Sequence, residues 1–133
     1  MKTGRFSRVL LMGLIAALLA SCSTGASFVK DMDASLSQVG DVVSAQTQYN
    51  NSAGMSTRIN VRITASTRAD LNTVLEDSLR AFANASGKTK GTISVAYYVF
   101  PEGAEEEGIR PDKVGLAITP TVDEIREYAR SSR

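Results

Sequence analysis

The longest unbroken pattern in the chain lies between Met55 and Ala65. Met55, Thr57, Ile59, Val61, Ile63 and Ala65 fall on one side of an extended backbone, and Ser56, Arg58, Asn60, Arg62 and Thr64 on the other. Alternation with period two predicts a strand with one buried face. A preceding strand is predicted with Val43, Ala45, Thr47 and Tyr49 on one side, and the turn-rich "NNSAG" between the two reads as a hairpin loop. A third strand, "TISVAYYVF", separates Ile93, Val95, Tyr97 and Val99 from Ser94, Ala96, Tyr98 and Phe100. Val114, Leu116 and Ile118 alternate in "KVGLAI" and predict a short fourth strand.

Three other segments carry the helical period. Phe28, Met32, Leu36 and Val39 recur at intervals of four, four and three, one face of a helix, and Gly40 stands where a helix commonly ends. Leu71, Val74, Leu75, Ser78, Leu79 and Phe82 form an apolar stripe; Thr67 and Asp70 have capping-box spacing before it, and Gly87 closes it. Thr121 and Glu124 make a second capping box, opening a helix with Val122, Ile125 and Ala129 on one face. The order α-β-β-α-β-β-α predicts an α+β two-layer sandwich, a four-stranded, mainly antiparallel sheet with helices on one face. Its helix, hairpin, helix and strand resemble part of a ferredoxin-like sandwich without the leading strand, a likeness that carries no function by itself.

Ahead of these elements the chain changes character. Lys2, Arg5 and Arg8 precede twelve apolar or small residues, Val9 to Ala20. That run is short of the about 20 residues needed to span a bilayer and fits the hydrophobic region of a secretory signal. It ends in Leu19-Ala20-Ser21-Cys22, with the sole cysteine of the chain. The quartet resembles the lipobox of bacterial lipoproteins. The resemblance implies cleavage between Ser21 and Cys22, a diacylglyceryl group on the Cys22 thiol, and a protein held on the extracytoplasmic side of the cell membrane, or in the outer membrane of a Gram-negative host. Two or more acyl chains give stable attachment where one does not. A free cysteine can also act as a small buried hydrophobe, but Ser21, Ser23, Thr24 and Gly25 make a poor core around this one. The expected organisation is a signal peptide (1–21), a lipidated cysteine with a short tether (22–26) and a single α+β domain (27–133). More loosely, Gly40 with Val42 and Val43, and the Gly54 to Ala65 strand behind a lipobox, resemble small envelope lipoproteins of actinobacteria.

Composition narrows the chemistry. Removal of residues 1–21 takes away Lys2, Arg5 and Arg8 and leaves 12 basic groups against 14 acidic ones, a net charge of −2. No strongly cationic face of the kind that binds nucleic acid is indicated, nor a run of basic residues that would bind anionic lipid. The chain holds no His, which excludes a His-based catalytic triad and His-ligated zinc. A single cysteine permits no intramolecular disulfide, so the fold must rest on its core.

Few motifs suggest a reaction. Gly87-Lys88-Thr89 looks like the end of a phosphate loop, but that motif has a glycine five positions earlier, where this chain has Phe82, and runs from strand to helix. Glu105, Glu106 and Glu107, with Glu102 and Asp112, offer oxygens for a divalent cation, yet their spacing is not that of an EF-hand, and adjacent carboxylates repel. Asn50-Asn51-Ser52 and Asn84-Ala85-Ser86 match the N-glycosylation pattern but suit a turn and a helix end. The strand faces turned away from the helices would present Gln46, Gln48, Arg58, Asn60, Arg62, Tyr98 and Phe100, a mixture of charged, amide and aromatic groups found in recognition surfaces and also, without the aromatics, in ordinary solvated sheets. The expectation is a non-catalytic binding or interaction module without metal or cofactor, carried at the membrane by Cys22 and facing an envelope protein partner. The alternative is a small-ligand or weak divalent-metal binding protein using the Glu105 to Asp112 loop.

The lipobox makes a direct prediction. Intact-mass analysis of the protein purified from its host membrane should show residues 1–21 absent and diacylglyceryl mass on Cys22, and Cys22→Ala should abolish both changes. A free Cys22 thiol, or an N-terminus elsewhere, removes the lipoprotein reading.

Overall fold

A computed structural model describes residues 24–51 and 57–131; the signal region, Ser21 and Cys22 therefore lie outside the described residues, as does the start of the predicted second strand. Helix α1 (Thr24–Ser37) leads to strands β1 (Val42–Asn50) and β2 (Arg58–Ala65), helix α2 (Leu71–Ala85), strand β3 (Ser94–Pro101), two 3-10 turns (Glu105–Glu107 and Pro111–Val114) and helix α3 (Val122–Ser131). The strands form one mixed sheet in the order β1-β2-β3, with β1 antiparallel and β3 parallel to the central β2.

The strict alternation of β2 sets the layers. Ile59, Val61, Ile63 and Ala65 are completely buried, and Val95, Tyr97 and Val99 of β3 join them. They meet Met32 and Leu36 of α1, Val74, Leu75, Leu79 and Phe82 of α2, and Val122 and Ile125 of α3 in one apolar cluster. Each large aliphatic side chain so buried contributes about 1.5–3 kcal/mol of transfer free energy. The result is an α+β sandwich with its helices on one face of the sheet.

The sheet has three strands among the described residues, and it is mixed rather than mainly antiparallel. Residues 113–118 do not form the fourth strand. Pro111 starts a 3-10 turn, Gly115 adopts φ 90°, and the Gly115 and Leu116 amides bond back to the Asp112 and Pro111 carbonyls at 3.2 Å. Ile118 is left 56% exposed. The outer edge of β3 is closed instead at its two ends. Val99 exchanges backbone bonds with Ile109 (3.0 and 2.7 Å), Val95 donates to the Pro120 carbonyl (2.8 Å), and Val122 donates to that of Ile93 (3.0 Å). With three strands and a parallel pair, the ferredoxin-like likeness ends at the hairpin and the β2-α2-β3 crossover.

Local signals fared unevenly. The Thr121–Glu124 capping box is formed, with the Thr121 amide donating to Glu124 Oε1 at 3.0 Å and the Glu124 amide to Thr121 Oγ1 at 3.2 Å. Gly87 takes φ 52° just past α2, the left-handed turn that glycine makes without strain. The start of α2 differs from expectation: Asp70 is itself the N-cap, accepting from the Asn72 amide at 3.2 Å and the Thr73 hydroxyl at 3.0 Å. After α1 the left-handed residue is Asp41, at φ 67°, rather than Gly40. A bulge between Val42 and Ser44 turns Val43 outward, half exposed, while Ala45, Thr47 and Tyr49 keep to the helix side.

One polar pair sits inside this apolar layer. The Tyr97 hydroxyl donates to Ser78 Oγ at 2.8 Å, and Ser78 Oγ donates to the Leu75 carbonyl at 3.0 Å. Burial pushes the Tyr97 hydroxyl well above its ordinary pKa, so it remains a donor. Arg126 makes a second connection, from α3 to the end of α2: its guanidinium donates to Ser86 Oγ (3.0 Å), the Gly87 carbonyl (3.0 Å) and the Thr89 carbonyl (2.8 Å). A helix end leaves carbonyls without intrahelical partners, and here another helix supplies the donors.

A double-mutant cycle tests the buried pair. Ser78→Ala strands the Tyr97 hydroxyl and is expected to cost about 1–3 kcal/mol, Tyr97→Phe about 1 kcal/mol, and the double mutant less than their sum. Urea melts measure all three, and strict additivity would show that the two groups do not interact.

Candidate interaction surface

The side of the sheet away from the helices is built in rows by the strand register. Ser44, Thr64 and Phe100 make one row; Gln46, Arg62 and Tyr98 the next; then Gln48, Asn60 and Ala96; and Asn50, Arg58 and Ser94 the last. All seven side chains expected on this face, Gln46, Gln48, Arg58, Asn60, Arg62, Tyr98 and Phe100, are therefore on it. They divide into two groups. Gln46, Gln48 and Arg58 are exposed and Asn60 half-buried, whereas Phe100 is only 6% exposed.

What covers the aromatic corner is the chain itself. Beyond β3 the backbone folds back through Gly103, at φ 82°, into the Glu105–Glu107 turn. The Tyr98 hydroxyl donates to the Glu105 carbonyl and accepts from the Gly108 amide at 3.1 Å. A Cβ at position 108 would overlap the Tyr98 ring, so the close approach of loop to sheet requires glycine there. The Tyr98 and Phe100 rings stack with centroids 5.6 Å apart. The Arg62 guanidinium lies 5.6 Å from the first ring centroid and 5.0 Å from the second, and Arg110 stands 4.8 Å from that of Tyr98. Such contacts are worth about 0.5–1 kcal/mol each at exposed sites. Arg62 also pairs with Glu105 at 3.2 Å, both side chains being well exposed, a pair worth at most about 1 kcal/mol. The two adjacent aromatics expected on this face are thus covered from within the chain. Arg62, Arg110 and residues 105–108 do the covering.

The loop leaves a recess of about 670 Å³ beside the covered corner, lined by Ser44, Gln46, Arg62, Thr64, Phe100, Gly103, Glu105 and Glu106. It is polar, with one cation against two carboxylates. The sequence offered Arg62 and Glu105 as separate features, and only the fold pairs them. Gly108 and Arg110 gave no periodic signal at all, since their partners are ten and twelve positions back in β3.

Glu105, Glu106 and Glu107 are exposed on a single turn, and no group of three or more His, Cys, Asp or Glu among the described residues could hold a metal ion. Gly87-Lys88-Thr89 leaves a helix and enters a strand, the reverse of a phosphate loop. Asn84 is in the last turn of α2 and Asn50 ends β1. No described helix is long and apolar enough to cross a membrane.

Fold and surface together define a small α+β domain with one polar sheet face, partly roofed by its own loop. No family model matches the chain, and no curated protein or solved structure matches it either.

The roof is held by ring packing more than by charge. Gly108→Ala should cost about 1–3 kcal/mol through forced displacement of the Tyr98 ring, while Glu105→Gln, which removes only an exposed ion pair, should cost below about 1 kcal/mol. Urea melts of the two variants decide it, and the opposite ranking would mean that charge holds the loop.

Proposed function

We propose that this protein is an extracytoplasmic lipoprotein, anchored through Cys22, whose domain is a non-catalytic interaction module of the cell envelope. The lipobox Leu19-Ala20-Ser21-Cys22 supports the anchor. The observation that carries the module is the uncovered part of the sheet face. Gln46, Gln48, Arg58 and Asn60 stand in register on rigid strands, beside a polar recess. Amides and an arginine on strands offer directional donors and acceptors at little entropic cost, the property a protein partner can use. Tyr98, Phe100 and Arg62 belong to the architecture of that face, and the partner-facing share is narrowed to the four polar residues. The same recess supports a second reading, a small polar ligand held between Arg62 and the Glu105 and Glu106 carboxylates.

In-cell crosslinking followed by purification of the acylated protein tests the proposal. A stoichiometric envelope partner should be recovered with the wild type and lost with Gln46→Ala/Gln48→Ala/Asn60→Ala, a variant expected to melt normally because all three side chains lie outside the core. Retention of every partner by that variant would overturn the sheet-face assignment. A small molecule co-purifying with wild type and lost on Arg62→Ala would favour the second reading.

A further inference from the structure

Resting on the lipid anchor proposed above, the arrangement of one end of the domain leads further. We propose that the end carrying Lys88, Lys90 and Arg58 docks on anionic phospholipid headgroups, so that the domain stands on the membrane in one orientation. Two residue steps separate Cys22 from Thr24, where α1 begins, a span of at most about 7 Å for an extended chain. Whatever lies around the first turn of α1 is therefore held at the lipid surface.

The fold determines what lies there. Gly25, Ser27 and Phe28 of that turn line one recess with Tyr49, Thr57, Ile93 and the α2–β3 loop that carries Lys88 and Lys90. Arg58 opens β2 at the same end, opposite Ser94 in the register. None of these three cations is in an ion pair with a described residue; the acid lining this recess is Asp31, and Asp123, which lies against Gly91 beside Lys90, is paired with Arg126. The lysines follow the C-terminus of α2, where positive charge is favoured. Their loop is also held rigid. Thr89 donates to the Ser86 carbonyl at 2.9 Å, and Arg126 clamps the Gly87 and Thr89 carbonyls.

The charge of the opposite end has the other sign. β3 runs from Ser94, next to the basic end, to Pro101, about 23 Å away at the strand rise. Beyond Pro101 come Glu102, Glu105, Glu106, Glu107 and Asp112 against Arg110 and Lys113, an excess of acid. An anionic surface attracts nearby lysines and repels carboxylates, and both effects fade within a Debye length. The two ends thus favour the same posture, with the polar sheet face standing beside the membrane and accessible from the side. The sequence shows no basic run because the lysines come from the α2–β3 loop and Arg58 from the start of β2.

The acylated protein in vesicles provides the test, since lipidated Cys22 leaves no competing thiol for labelling. A fluorophore on Thr92→Cys, at the proposed docking end, and one on Lys113→Cys, at the far end, are read against quencher-bearing headgroups. In phosphatidylglycerol vesicles the Thr92→Cys label should be quenched and the Lys113→Cys label should not. Lys88→Glu/Lys90→Glu, neutral phosphatidylcholine vesicles, or high salt should each lower the docked-to-undocked ratio about tenfold or more, and Lys88→Arg/Lys90→Arg should retain it. Equal quenching of both labels, or quenching at Thr92→Cys that ignores charge and salt, would overturn the docking. Mass analysis of the same preparation separates the two levels. With diacylglycerol on Cys22 a negative result removes only the docking, whereas an unmodified Cys22 removes the anchor beneath it.

Discussion

The hydroxyl of Tyr97 has nowhere to go but Ser78. It lies at the centre of a layer of leucine, isoleucine, valine and phenylalanine side chains, and burying it unbonded would cost about 1–3 kcal/mol. Its bond to Ser78 Oγ ties β3 to the middle of α2 at one register, because a slip of one residue would send Tyr97 to the far side of the sheet and bring Tyr98 inward. The two neighbouring tyrosines then have opposite fates. Tyr97 closes the core against α2, with its ring edge-on to Phe82 at 6.0 Å, and Tyr98 becomes the post on which the Glu105–Glu107 loop folds.

From that division follows the asymmetry of the sheet. An exposed strand edge invites pairing with other chains. On the β3 side, the segment from Ile109 to Val122 returns to occupy both ends of the edge, and the Tyr98 post begins that return. On the β1 side no described residue does so. Glu102 donates to the Ala65 carbonyl, which puts the backbone groups of the odd-numbered β2 residues toward β3 and those of the even-numbered ones toward β1. In β1 the partners of the latter are Ser44, Gln46, Gln48 and Asn50, so Ala45, Thr47 and Tyr49 direct their amides and carbonyls outward. The bulge at Val43 is the device on this edge that interrupts regular pairing.

The sequence was most legible where one residue's neighbourhood is decided locally. Alternation in β2 told inside from outside at every described position, and the Thr121–Glu124 box and Gly87 marked helix ends because capping is a matter of a few adjacent residues. It misled where alternation occurs without a ladder. Val114, Leu116 and Ile118 have a strand's period, but Pro111 lacks an amide donor and Gly115 readily turns left-handed, so short-range bonds close a turn before any pairing can form. It was silent on long-range pairs. Nothing in "EEEGIRP" announces that Gly108 must lie under a tyrosine ten residues earlier, and nothing near Arg126 points to carbonyls some forty positions back.

That last pair links the two surfaces of the molecule. Without the Arg126 guanidinium the loop after α2 would have to find other donors for the Gly87 and Thr89 carbonyls, and Lys88 and Lys90 would sit on a freer chain. With it, those lysines are fixed relative to α3, whose first amides bond to Ile93 and Gly91, and hence relative to β3 and the whole sheet. A charge pattern assembled from separate segments can orient a domain only if the segments are rigidly connected. Here the connection is made by the same strand whose one tyrosine seals the core and whose next tyrosine carries the roof of the open face.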